Sequence, residues 1–202
     1  MRVLVACEYS GIVRDAFTRH HHTAWSVDLL PTESPGNHYE GDIFDFWCQE
    51  TIGPFESFDL AICHPPCTML TNSANRWLFE DSSQGTWQQR REDREKAIAF
   101  FQQLQALPIP RIAIENPQPH PYVIERVGRF QDKIQPYMFE EPYTKGICLW
   151  LKNLPPLMST VIESKREAKV HFASPGKDRS KIRSRFYPKI AEQMAIQYSM
   201  GS

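Results

Sequence analysis

Phe58-Asp59-Leu60-Ala61-Ile62-Cys63-His64-Pro65-Pro66-Cys67-Thr68 decides how the rest of the chain is read. Its first half is a short, continuous apolar run, the pattern of a strand covered on both faces. Its second half stops that strand abruptly, because each proline fixes its own φ and disfavours helix at the residue before it. A thiol, Cys67, follows on the stiffened turn. An apolar strand that empties into a rigid, polar loop is what an open α/β sheet places at its ligand-binding edge.

The same arrangement recurs on either side. Upstream, Arg2 to Cys7 (RVLVAC) is another apolar run, closed by Glu8-Tyr9-Ser10-Gly11 and followed by a helical pattern from Ile12 to His20. Ala24 to Leu29 (AWSVDL) reads as a strand ending at Asp28. A loop rich in proline, glycine and asparagine spans Pro31 to Asn37, then Gly41-Asp42-Ile43 leads into a helix over Phe44 to Ile52. Downstream, Trp87 to Leu107 carries the best helical signal, with the apolar series Ala97, Ile98, Phe100, Phe101 and Leu104. Arg111 to Ile114 is a strand ending at Glu115-Asn116-Pro117. Ile147 to Leu151 is a fifth strand, and Ile190 to Tyr198 a closing helix. Strands alternating with helices predict an α/β domain, a mostly parallel sheet with helices on both faces. Glu8, Asp28, Cys67 and Glu115 each close or follow a strand, and Asp42 lies in the next connection. The alternation therefore sends all of them to one crevice.

The bulk properties suit a single domain over residues 1–202. A net charge of -1 excludes a chain that holds nucleic acid by overall polycation character, so any such surface is local. Glu163 to Arg185 is the one basic, polar stretch, a loop or small insertion holding Lys165, Arg166, Lys169, Lys177, Arg179, Lys181, Arg183 and Arg185. Taken alone it is equally a phosphate-binding cluster or an ordinary solvated segment. No apolar stretch approaches the ~20 residues of a membrane span. Five scattered cysteines without a signal peptide fit a reduced, cytoplasmic setting.

Cys67 and Glu115 suggest a reaction. Alone, Cys67 is a small thiol after a proline turn, and Glu115 a helix cap or ion-pair partner. Together at adjoining strand exits, a thiolate could attack one ring atom while a carboxylic acid protonates the neighbouring ring nitrogen.

His-Pro-Pro-Cys-Thr after one strand and Glu-Asn-Pro after the next resemble the Pro-Cys and Glu-Asn-Val motifs of cytosine-C5 DNA methyltransferases. Order, approximate spacing and strand context agree. The wider pattern, including Leu-Trp-Leu-Lys-x-Leu-Pro, looks most like small methylase-like proteins of phages and prophages. The resemblance implies a Rossmann-like, S-adenosylmethionine-dependent methyltransferase. Cys67 would attack C6 of a flipped-out cytosine, Glu115 would protonate or hydrogen-bond N3, and C5 would take the methyl group. Asn116 belongs to the same motif. The resemblance further implies a cofactor pocket from Cys7, Glu8, Tyr9, Ser10 and Gly11, with Asp28 and Leu29 at the ribose, Asp42 and Ile43 at the adenine, and Pro65 at the methionine end. Pro66, Thr68, Asn72 and Arg76 would meet the substrate, with Trp77 available for stacking.

The later parts depart from the family. Glu141-Pro142-Tyr143-Thr144-Lys145 stands where the family has Pro-Gln-x-Arg-x-Arg, so Lys145 falls at the first arginine and Ile147 at the second. Lys145, Arg183 or Arg185 are the candidates for that second role. Arg185-Phe186-Tyr187-Pro188-Lys189-Ile190-Ala191 loosely resembles the family's last motif. Between Leu151 and Arg185 there is room for a loop but not for a target-recognition domain. DNA, single- or double-stranded, is the expected partner. Three other readings stand beside it: a pyrimidine-nucleotide C5-modifying enzyme, a non-catalytic homologue that binds S-adenosylmethionine or DNA, and a zinc site at Cys63, His64 and Cys67. The zinc reading is the weakest, since the prolines restrict the geometry and no second ligand pair follows; the expectation is no metal.

Overall fold

The computed structural model describes residues 1–46, 54–72, 87–161 and 185–200. The strands are β1 (Arg2–Ala6), β2 (Thr23–Asp28), β3 (His38–Glu40), β4 (Leu60–Cys63), β5 (Arg111–Pro117), β6 (Asp132–Ile134) and β7 (Ile147–Lys152). They form a 7-stranded sheet in the order β3-β2-β1-β4-β5-β7-β6. The contacts from β3 through β5 are parallel. β7 runs antiparallel to both β5 and β6. The order reverses between β1 and β4, and that switch point is where an open sheet of this kind leaves its binding crevice.

The helices are α1 (Ile12–Arg19), α2 (Ile43–Phe46), α3 (Trp87–Gln105), α4 (Pro121–Val127) and α5 (Pro188–Gln197). Sheet side chains alternate between two cores. Leu4, Ala6, Ala61, Ile112 and Ile114 pack with Ile98, Phe101 and Leu104 of α3 and Val123 of α4. Val3, Val5, Leu60, Ile62 and Ala113 pack on the other face with Val13, Ala16 and Phe17 of α1 and Ile190, Ala191 and Met194 of α5. Both faces are therefore apolar, which explains why β1 and β4 read as unbroken apolar runs without polar alternation.

The sequence expectation of an α/β sheet with helices on both faces holds, with β7 as the strand that reverses. Three elements went unread: β3, β6 and α4. Each short strand has too few residues for a period-2 pattern. Helix α4 did leave a signal. His120 caps it by accepting from the Tyr122 N–H, Pro121 occupies the first turn, and Gly128 ends it at φ 85°. The expected helix over Phe44 to Ile52 begins at Ile43 and is seen to Phe46; its remainder, with Cys48, lies outside the described residues.

Among the described residues no helix is long and apolar enough to cross a membrane. No group of three or more His, Cys, Asp or Glu is placed to hold a metal ion among them either. Cys7, Cys63, Cys67 and Cys148 carry no disulfide.

Candidate active site

The first turn is built by Glu8. Its buried carboxylate accepts from the Val13 N–H (2.6 Å), the Arg14 N–H (3.2 Å) and the Ser10 hydroxyl (3.1 Å), so it caps α1. The acid therefore serves the free amides at the start of a helix. Gly11 sits at φ 76°, where a Cβ would come within 2.6 Å of Arg14 Nη2. Cys7 also adopts a left-handed backbone, φ 59°, at the exit of β1. Its thiol is pushed up to about 12, first by burial, then by the negative charges of Asp28 and Asp42. Asp28 and Asp42 are therefore close enough for their charges to act on the Cys7 thiol.

Asp28, half-buried at the end of β2, accepts from the Leu30 N–H (2.9 Å) and is raised by burial above the usual carboxylate range. Leu29 beside it is 72% exposed, an apolar side chain open to a ligand. Asp42 accepts from the Phe44 N–H (2.8 Å) at the start of α2, and Ile43 is buried. Tyr9 and Ser10 are buried in the turn.

Arg14 was not anticipated. It is 1% exposed, yet it donates to Ser26 and Thr32 hydroxyls (both 3.2 Å) and to the carbonyls of Ser34 (2.8 Å) and Pro35 (3.3 Å), and pairs with Asp15. It ties the loop after β2 onto α1. The available signal was its position: in Ile12–Arg19 it shares the apolar face with Val13 and Phe17.

At the exits of β4 and β5 the loops are joined to each other. Asn116 Nδ2 donates to the Pro65 carbonyl (2.8 Å), the His120 N–H donates to the Leu70 carbonyl (2.9 Å), and Thr71 forms a bridge with Pro119. The loop turns on itself through the Leu70 N–H to Cys67 carbonyl bond (3.1 Å), with Leu70 buried as its anchor. Pro65 is buried, Cys67 half-buried, and Pro66, Thr68 and Asn72 are exposed. Cys67 is thus carried on a loop fixed to the segment that carries Glu115.

Glu115 is buried, and its Oε2 lies 3.2 Å from His64 Nδ1. Burial alone would raise its carboxyl, but the His64 hydrogen bond and the Lys145 charge outweigh this and hold it below the usual range. Lys145 Nζ stands 5.6 Å from the centre of the Tyr187 ring. Tyr187 is pushed up to about 12 by burial and by Glu141, Glu115 and Tyr143. The His64 ring packs 4.7 Å from Phe186. The late segment Phe186-Tyr187 therefore reaches the exits of β4 and β5. Three buried polar atoms here have no hydrogen-bond partner among the described residues: Glu115 Oε1, Asn116 Oδ1 and His64 Nε2.

Of the two described candidates for a cation near the acid, Lys145 is the one whose charge acts on Glu115. Arg185 instead donates to Glu33 (2.9 Å) and lies near Tyr9, on the side of the first turn. Arg76, Trp77 and Arg183 lie outside the described residues, as does the basic stretch from Glu163 up to Arg185.

No protein-family model matches the sequence, and no curated protein matches it. Solved structures do show similarity. One is a prophage-encoded E. coli protein assigned as a DNA modification methyltransferase, with TM-score 0.48, 12% identity, and coverage of 87% of this chain and 55% of that one. Another is an rRNA methylase from Escherichia coli, with TM-score 0.38, 19% identity, and coverage of 75% and 56%. The chain spans little more than half the length of either protein.

Proposed function

We propose that this chain is an S-adenosylmethionine-dependent methyltransferase that modifies C5 of cytosine in DNA through a covalent adduct on Cys67. The observation that carries the reading is the joining of the Cys67 loop to the Glu115 exit, where Glu115 Oε1 is buried with no hydrogen-bond partner among the described residues. A buried carboxylate oxygen without a partner is costly unless a ligand satisfies it. A nucleobase edge is a ligand of the right chemistry.

The first turn fits a nucleoside cofactor. Asp28, raised by burial, is an acceptor suited to ribose hydroxyls, and exposed Leu29 offers an apolar surface beside it. Asp42 and Ile43 stand at the adenine edge, and Cys7 through Gly11 form the backbone turn. When bound there, S-adenosylmethionine supplies the methyl group.

The remaining steps belong to the chain. Cys67 Sγ, as thiolate, forms a bond to C6 of the pyrimidine. The C5–C6 electron pair shifts into the ring as N3 takes a proton from Glu115, which makes C5 nucleophilic. After methylation, loss of the C5 proton and expulsion of the thiolate restore the aromatic ring, and the N3 proton returns to Glu115. Lys145 holds positive charge near the acid. The cytosine must leave the helix stack, or come from a single strand, to reach this crevice.

The test is an intact-mass search for an adduct with a 5-fluorocytosine oligonucleotide and S-adenosylmethionine. Fluorine at C5 blocks the final elimination, so a working thiolate stays trapped. An adduct lost in Cys67→Ala supports the mechanism. No adduct across single- and double-stranded sequences, despite cofactor binding, would transfer the reading to a free nucleotide or to a non-catalytic binder.

A further inference from the structure

His64 has no role in the reaction as described above, yet its ring hydrogen-bonds the Glu115 side chain across 51 positions of sequence. Both side chains are nearly sealed, at 10% and 11% exposure. An ionised carboxylate only accepts, so Nδ1 must carry the hydrogen and donate it to Oε2. The ring is held on its other side by Phe186. Oε2 is thereby occupied, and Oε1 has no hydrogen-bond partner among the described residues.

We propose that His64 is the positioning residue of Glu115: by donating from Nδ1 to Oε2, it makes Oε1 the carboxyl oxygen that carries the proton to the pyrimidine ring nitrogen. This rests on the reading of Glu115 as the acid and adds the residue that decides which oxygen acts. A carboxyl free to rotate would present its proton in several directions. One oxygen clamped by a buried imidazole presents it in one, and near-attack geometry of this kind is where a fixed site gains rate.

The charged and titratable groups around Glu115 come from four directions. His64 faces it from the exit of β4, Lys145 from the segment before β7, Cys148 from β7 itself, and Tyr187 from the segment before α5. Behind Tyr187 stand Glu141 and Tyr143, and Lys133 of β6 acts on Cys148. His64 and Lys145 favour the ionised form. Entry of a base removes further water, which favours the neutral acid. Proton uptake is then coupled to base binding, and the proton goes to the oxygen His64 does not occupy.

The experiment compares wild type with His64→Phe, which keeps a ring against Phe186 but cannot donate, and His64→Asn, whose amide can donate from a similar place. Carbon-13 NMR follows the Glu115 carboxyl in the substrate-free protein, assigned by its disappearance in Glu115→Gln. The pH profile of adduct formation with the 5-fluorocytosine oligonucleotide is the second readout. In His64→Phe the carboxyl should titrate higher by about one unit. The falling, high-pH limb of the profile should move up with it, while the best rate drops about tenfold. His64→Asn should restore most of both. A carboxyl titration that His64→Phe leaves unchanged would overturn the proposal, as would an unmoved limb or a failure of His64→Asn to rescue. If wild type forms no adduct at any pH, the methylation reading fails, and the carboxyl titration still decides whether His64 governs Glu115.

Discussion

The two halves of the carboxyl edge use their polar groups in opposite ways. At the exits of β1 and β2 the acids are largely taken by the backbone: Glu8 by the amides of α1, Asp28 by Leu30, Asp42 by Phe44. At the exits of β4 and β5 the polar atoms stand open: Glu115 Oε1, Asn116 Oδ1 and His64 Nε2 are buried without hydrogen-bond partners among the described residues. The first half is finished as a scaffold, and on the proposed reading what it offers the cofactor is shape, an apolar surface and one desolvated acid. The second half is incomplete as it stands, because buried polar atoms without partners destabilise the fold unless a ligand meets them. Changes in the first half should therefore act on stability and cofactor binding, and changes in the second on chemistry.

Four outcomes would sharpen or break that contrast. The largest effect belongs to Cys67→Ala, which should abolish the covalent adduct in intact mass while leaving the thermal midpoint close to wild type. Glu115→Gln keeps the shape but cannot supply the N3 proton, and methyl transfer measured with labelled cofactor should fall by about 10²–10⁴-fold. A loss of only a few-fold would remove the acid role. In the scaffold half, Gly11→Ala forces a side chain into a left-handed backbone against Arg14, and chemical denaturation should show a loss of about 1–3 kcal/mol. Asp28→Ala should weaken S-adenosylmethionine by about tenfold in calorimetric titration, with the chemical step unchanged at saturating cofactor. A slower chemical step at saturation would mean that the two halves are not separable.

The amino-terminal edge, far from both halves, supplies a pH control of still smaller size. His22 lies between the chain's amino group and the Ser199 hydroxyl, and burial holds it below its ordinary value. Its neutral form is the one the fold favours. Stability from this group is complete above about 6.5 and declines as pH falls through that value toward the lowered one. His22→Asn should flatten that part of the stability profile without touching the rate. Glu115 acts in a more acidic window. Its folded carboxyl is depressed, so its contribution is present above the ordinary carboxylate value and is lost as pH falls through the lowered one.

What could be read beforehand followed from how much sequence each feature occupies. β1, β4, β5 and β7 were visible because strands covered on both faces leave runs of apolar residues, and α3 because its length repeats the helical pattern. β3 and β6 owe their existence to neighbours already in place, since a three-residue strand has no pattern of its own. Cys67 and Glu115 stood out because each follows a run of that kind directly. Glu8 was noticed at the right place, but its engagement with α1 depends on the turn's path in space, which spacing does not reveal. Arg14 was hidden by its type, because a charged residue on an apolar helix face reads as a surface position until its partners in the loop after β2 are seen. His64 stood out only as part of its motif and as a possible zinc ligand, because its partner Glu115 lies 51 positions away.

The ties between Leu70 and His120, Thr71 and Pro119, and Pro65 and Asn116 act as rivets between two loops. Sulfur and acid are consequently mounted on one bracket rather than on two arms that must find each other. Lengthening the chain between Pro65 and Thr71 shears that bracket and misaligns both groups at once. Anyone wishing to graft a further module onto this protein must therefore keep clear of Pro65 to Thr71, where the rivets hold the two loops in one piece.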